Sequence, residues 1–261
     1  MITSSQNAKL KQVRALVRKP NERRRSGEFV VEGVRLMEEA LASGGAFRYA
    51  LFSKNLSDRG RALVEKLADH SVEVEEVAES LMGAVSDAET PPGLLAVLDR
   101  RPLPFPPSPD FLLIADRIRE PGNLGTLLRT AAAAGVQGVL LSPDTTDAFS
   151  PKALRSGMGA QFRLPVQEQS WADIARFCET TALRIFLATM TGTSCWTEDF
   201  RRPLALVIGG EADGASPEAI ALARHGVAVP MPGGMESLNA AVAGAILLFE
   251  VVRQRAGGVA K

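Results

Sequence analysis

The stretch Leu204-Ala205-Leu206-Val207-Ile208-Gly209-Gly210-Glu211 joins an apolar run to a glycine pair, and its reading decides the fold. The run is short and β-branched at its end, so it reads as a buried strand that opens into a loop dominated by backbone. A second run, Val227-Ala228-Val229, ends in Pro230-Met231-Pro232-Gly233-Gly234, where proline removes amide donors and glycine permits unusual backbone angles. From Ser237 to Arg253, Leu238, Val242, Ala245, Ile246, Phe249 and Val252 recur as one face of a helix, with Gly244 and alanines between them for close packing. Glu236, Ser237 and Asn239 place polar groups at the mouth of that helix. In an open α/β sheet, ligands sit beyond the carboxyl ends of strands and against helix N-termini, where both loops fall. The plainer reading, two ordinary connections and a core helix, stays open from this stretch alone.

Upstream, strand and helix patterns alternate. Phe111–Ala115, Gly138–Leu141 and Arg184–Ala188 read as strands; helical patterns start at Asn123 and cover Lys152–Gly157 and Trp171–Thr181. This predicts an α/β domain over residues 110–261, a mostly parallel sheet with helices on both faces. The prolines at 102, 104, 106, 107 and 109 exclude helix and sheet interior, so 101–109 reads as a stiff spacer spanning about 25 Å. Before it, strands at Phe29–Val31, Tyr49–Phe52, Val72–Val77 and Leu94–Leu98, with helices between, predict a small α/β domain over residues 1–100.

The formal net charge is zero, so no global field drives the chain onto nucleic acid or acidic lipid, and any such contact must come from a local patch. One patch is available. Lys9, Lys11, Arg14, Arg18, Lys19, Arg23, Arg24 and Arg25 face a single acid, Glu22, within the first 25 residues. A solvated helix face and an RNA contact are the two readings of that basic arm. Cys178 and Cys195 have no metal-like spacing to each other or to His70 and His225, so both are read as reduced packing residues and no metal is expected. His225, just after Arg224, reads as a capping residue at a helix end. No apolar signal core or membrane span is found, which predicts a cytoplasmic protein with no membrane contact.

Chemistry points first to Asp116-Arg117-Ile118-Arg119-Glu120-Pro121-Gly122-Asn123-Leu124-Gly125-Thr126-Leu127-Leu128-Arg129-Thr130. Leu124, Leu127, Leu128 and Ala131 share a helix face that must be buried, and Arg129 lies off it. Helical side chains lean toward the N-terminus, so Arg129 is expected to lie back over Gly125 toward Asn123, building a pocket suited to a phosphate. A surface arginine on a capped helix is the simpler alternative. The dinucleotide, phosphate-loop and serine-hydrolase motifs are absent, which argues against a reductase or another nucleotide enzyme of those types.

Three segments in series resemble a known family. Pro121-Gly122-Asn123-x-Gly125-x-x-x-Arg129-Thr130, Leu206-Val207-Ile208-Gly209-Gly210-Glu211-x-x-Gly214, and Val229-Pro230-Met231 leading to Ser237-Leu238-Asn239-x-x-Val242-Ala243 resemble the three motifs of the SpoU (TrmH-type) RNA 2′-O-ribose methyltransferases of the SPOUT superfamily. Residues 1–100 look like the ribosomal-protein-like substrate-binding domain of many members. Ala212, Ala240 and Ala241 depart from the usual residues, but no polar motif position is lost. The resemblance implies a C-terminal trefoil knot, a rare exception to unknotted topology. It implies S-adenosyl-L-methionine held by Gly209, Val229, Met231 and Leu238, and a homodimer with the active site at the subunit interface. It implies attack of a ribose 2′-oxygen on the sulfonium methyl, on structured RNA and most of all 23S ribosomal RNA. Transfer RNA, or a non-catalytic RNA-binding role, are the alternatives. Arg129 is assigned to the adjacent phosphate and the developing alkoxide, not to proton abstraction, because a guanidinium with pKa above about 12 is a poor base. Asn123, Glu211, Ser237 and Asn239 complete the implied catalytic set.

Overall fold

The computed structural model describes residues 1–88, 90–210 and 214–256. It divides into two compact units, one of Met1–Arg101 with Phe149–Phe162, the other of Pro102–Ala148 with Arg163–Lys261.

The first unit begins with α1 (Ala8–Arg18), α2 (Pro20–Ser26), β1 (Glu28–Glu32), α3 (Val34–Ala42) and β2 (Ala46–Phe52). It continues with α4 (Asp58–Asp69), β3 (Glu73–Glu76), α5 (Glu79–Val85) and β4 (Leu94–Asp99). Its four strands lie in the order β1-β4-β2-β3, with only β2 and β3 parallel. Leu10, Val13 and Leu16 of α1 are wholly buried against Val30, Leu51 and Val97 of the sheet, so the first helix is a core element. The basic arm is therefore not uniform. Arg23 is buried, and its guanidinium donates to the Leu16 carbonyl and, at 3.2 Å, to that of Val17, satisfying carbonyls at the end of α1. Lys9 is held by Glu73 at 2.6 Å and Glu75 at 3.0 Å.

The second unit opens with β5 (Phe111–Asp116), α6 (Pro121–Ala133) and β6 (Gly138–Leu141). The chain then supplies α7 (Pro151–Gly157) and a 3₁₀ turn (Ala160–Phe162) to the first unit, where Phe29 lies 5.1 Å from Phe149 and 6.2 Å from Phe162 between ring centroids. Arg155 adds an ion pair to Asp87 at 2.7 Å. This segment falls inside the 110–261 span that the sequence reads as one domain, because its apolar side chains find their partners on β1. Back in the second unit come β7 (Val166–Glu168), α8 (Trp171–Thr180), β8 (Arg184–Ser194), β9 (Leu204–Gly209), α9 (Pro217–Leu222), β10 (His225–Ala228) and α10 (Ala240–Ala256).

All five strand pairings of this sheet are parallel, in the order β10-β8-β9-β5-β6-β7. Alternate residues of the strands face opposite layers. Leu112, Ile114, Ala205 and Val207 pack with Ile174, Cys178 and Ala219 of α8 and α9. The other face receives α6 and α10, with a Cβ at Gly244 reaching within 2.5 Å of the Leu127 side-chain tip and 3.5 Å of Ile208, so a larger residue there would push Leu127 aside. Burial pushes the Cys178 thiol up to about 11, in keeping with a packing role, and both cysteines are free and buried.

Three expectations change here. The proline-rich segment does not act as a bare spacer, because Phe105 packs edge-on to Phe177 with centroids 5.5 Å apart and covers Gly138, where a Cβ would fall within its ring. His225 is not at a helix end; it opens β10, with its ring 5.2 Å from that of Phe186. Helix α10 begins at Ala240, and it buries Ala240, Ala241, Gly244, Leu247, Leu248 and Val251. The stripe expected to face the core is the outer one: Val242 is 48% and Phe249 49% exposed. Small residues beneath the helix, not the large ones, permit its close seat on α6 and β9.

Candidate active site

The chain runs outward from β5 through β6 to β7, then crosses to fill the other side with β8, β9 and β10. Its switch point lies between β5 and β9, where Asp116 pairs with Gly209 in the ladder. In parallel sheets this is where a crevice forms beyond the strand ends.

Asp116 closes β5 and is wholly buried. One carboxylate oxygen accepts the Ser216 amide at 2.6 Å, and the other accepts the Ser142 hydroxyl at 3.0 Å. These bonds tie the ends of β5 and β6 to the N-cap of α9, since Ser216 also caps that helix through the Ala219 amide at 3.1 Å. Arg117 follows with φ +50°, its amide donating to Ser142 at 3.1 Å and its guanidinium reaching the Gly214 carbonyl at 3.4 Å. The Gly209-Gly210 loop is thereby pressed backbone against backbone. A Cβ on Gly210 would lie 2.5 Å from the Arg117 carbonyl oxygen, and one on Gly209 would lie 2.9 Å from the Ala215 amide nitrogen. Sequence reasoning gives Gly209 the task of admitting a ligand; its first constraint is the protein's own chain. Asp116 has no role in the sequence reading, although it opens the stretch quoted there.

Over this loop opens a cleft of about 590 Å³, within the usual range for a small-molecule site. Gly209, Val229, Met231 and Leu238 all line it, together with Ser237 and Asn239. It is also lined by Leu187 and Ala188, the end of the expected strand, and by Thr189 and Met190, from the part of β8 that continues past it and that the sequence did not indicate. Among the described lining residues no side chain titrates. Such a cleft offers apolar walls and backbone donors and acceptors, which suits a flat heteroaromatic ring whose edge needs hydrogen bonds.

Asn239 is the hinge between the cleft and α6. Its side-chain oxygen caps α10, accepting the amides of Ala241 at 3.0 Å and Val242 at 3.2 Å, while its amide nitrogen donates to Asn123 at 3.1 Å. Asn123 lies in the first turn of α6, whose N-cap Glu120 accepts the Gly122 amide at 3.2 Å. Arg129 is exposed on the same helix, one turn beyond buried Gly125. Two expected site residues that stand 116 positions apart are thus joined directly. Glu211 lies outside the described residues.

Fold and cleft define a class: a parallel α/β domain with a small-molecule cleft at its switch point and polar groups of a neighbouring helix at the mouth. The profile of the SpoU rRNA Methylase family matches residues 110–249, and that of the MRM3-like substrate binding domain matches residues 7–96. The chain belongs to the SpoU rRNA Methylase family. It is 36% identical to an uncharacterized tRNA/rRNA methyltransferase of Synechocystis, over 97% of this chain and 94% of that one. It is 33% identical to a 23S rRNA uridine 2′-O-methyltransferase of Streptomyces viridochromogenes, over 98% and 93%. The crystal structure of the SpoU methyltransferase AviRb from that organism, in complex with AdoMet, superposes with a TM-score of 0.86 at 32% identity, covering 97% of this chain and all of that one.

Proposed function

We propose that this chain transfers the methyl group of S-adenosyl-L-methionine to a ribose 2′-hydroxyl of structured RNA, and that the RNA is 23S ribosomal RNA. The observation that carries the reading is the Asn239–Asn123 hydrogen bond, which brings the mouth of the backbone-lined cleft to the helix that bears Arg129. The AdoMet complex of the similar AviRb structure and the 23S rRNA activity named for the Streptomyces relative support it.

The residues present fit this cofactor: glycine-rich and proline-flanked loops give amides and carbonyls, and Leu187, Ile208 and Leu247 give apolar walls. Gly209, Val229, Met231 and Leu238 hold it. When bound, it supplies a methyl group activated by a sulfonium. Asn123 and Asn239, fixed by their mutual bond and by the capping of α10, orient the ribose; Ser237 and Glu211 share that task. Arg129 uses its planar fork to hold the adjacent phosphate and to stabilise negative charge as it develops on the 2′-oxygen. The hydroxyl proton leaves to water or to a nearby group. With the methyl that the bound cofactor would supply, the ribose 2′-oxygen would end as a neutral ether.

Residues 1–100 serve RNA capture in this reading, 101–109 connect, and 110–261 carry the transfer. The protein works in the cytoplasm, a reducing compartment in keeping with two free cysteines. The passage of α10 from edge strand β10 back onto central β9 and α6 supports the C-terminal knot that the family resemblance implies. The outward Val242 and Phe249 stripe supports a homodimer, because apolar side chains of this size gain by being covered. Phe249→Asp should shift the protein toward monomer in light scattering; a monomeric wild type would overturn the dimer.

The test of function is methylation of protein-free 23S rRNA from cells lacking the gene, followed by mapping of alkali-resistant linkages. One new 2′-O-methyl position is expected. Transfer to a base, or to transfer RNA alone, would refute the reading.

A further inference from the structure

The first unit separates its charges along the chain. Residues 7–27 carry eight basic side chains against one acid, whereas residues 28–88 carry six against twelve. The basic pole is α1, α2 and the turn between them. Two of its eight cations are drawn into the fold, Arg23 on the carbonyls that end α1 and Lys9 on Glu73 and Glu75, while exposed Arg25 pairs with Glu22 at 2.5 Å. Of the remainder, Lys11, Arg18, Lys19, Arg24 and Arg25 are exposed and Arg14 is half-buried. Lys11, Arg14 and Arg18 recur at three and four residues, which puts them on one face of α1, away from the buried Leu10, Val13 and Leu16. Where α1 meets α2, Arg18, Lys19, Asn21, Arg24 and Arg25, with Glu22 as the one acid among them, border a concave surface of about 530 Å³.

We infer that this face, Lys11, Arg14, Arg18, Lys19, Arg24 and Arg25, is the surface of the first unit that grips the phosphate backbone of the RNA. From Lys11 to Arg18 the helix advances about 10 Å at roughly 1.5 Å per residue, enough to meet several phosphates of one strand. Four of the six are arginines, whose forked donors fit phosphate oxygens two at a time. The net negative charge of residues 28–88 disfavours the same backbone there. An acidic membrane is the poorer occupant. A helix that lies on lipid needs an exposed apolar side, and the apolar side of α1 is sealed in the core.

The inference rests on the RNA methyl-transfer reading and deepens it. The experiment measures affinity of the full chain for protein-free 23S rRNA at several salt concentrations, with S-adenosylmethionine binding followed in parallel by calorimetry. Lys11→Ser, Arg18→Ser and Arg24→Ser combined should flatten the slope of log affinity against log salt by about 2, at roughly 0.7 to 0.9 per lost contact, and leave cofactor binding unchanged. Arg35→Ser, Lys54→Ser and Lys66→Ser combined remove the same charge from the acidic region and should leave the slope as in wild type. Arg23→Ser alone should lower the melting temperature without flattening the slope. A wild-type slope in the first variant, or equal flattening in the second, overturns the assignment of this face while the functional reading stands. Binding to phosphatidylserine vesicles with no binding to the RNA overturns both.

Discussion

Replacing Arg129 with lysine is expected to lower kcat about 100-fold, nearly as far as replacing it with alanine, which should cost about 100- to 1000-fold. The reasoning turns on shape. Lysine keeps the charge but offers a point where the reaction needs a fork that spans a phosphate and the ribose oxygen. Affinity for S-adenosylmethionine should stay within about twofold in both variants, because Arg129 is not among the residues that line the cleft. Single-turnover methylation beside a calorimetric titration separates the two quantities. Near-normal turnover by Arg129→Ala would remove this residue from the mechanism.

The second large effect is expected at Gly209. A valine there must displace the Ala215 backbone, which a Cβ would approach at 2.9 to 3.0 Å, and Ala215 is itself part of the cleft wall. Overpacking of this kind costs about 1–3 kcal/mol of stability. Because the strained backbone also lines the cleft, cofactor affinity should fall at least about tenfold in protein that is still folded. Thermal unfolding and calorimetry on the same sample test both halves. Lowered stability with wild-type affinity would mean that the loop is only a tight turn.

The two Gly/Pro loops are legible in the sequence because glycine and proline act locally, and their position after apolar runs is enough to set them at strand ends. Asn123 and Asn239 are legible as polar residues at helix starts, but their mutual bond is not, since no local pattern links positions 116 apart. Asp116 is hidden for the same reason. An aspartate at a strand end looks alike whether it meets water or, as here, a serine 26 residues on and an amide 100 residues on. Helix α10 misleads in another way: it is apolar on both sides. Periodicity finds the large residues from Val242 to Val252, yet packing density favours the alanines and Gly244 where another helix must come close. Within the basic arm, composition counts Arg23 with its neighbours, and only burial shows that it serves the end of α1.

The loan of Phe149–Phe162 to the first unit means that the chain passes between its two units three times, near residues 101, 148 and 162. Severing the proline-rich segment would leave residues 1–101 held only by their packing on Phe149–Phe162, which stays covalently joined to the second unit on both sides. A truncation at residue 105 would take away the Phe29 that Phe149 and Phe162 stack on, along with the Phe105 that covers Gly138. The units are divisible in space but not by scissors. Exchanging the first unit between relatives would need three simultaneous joins.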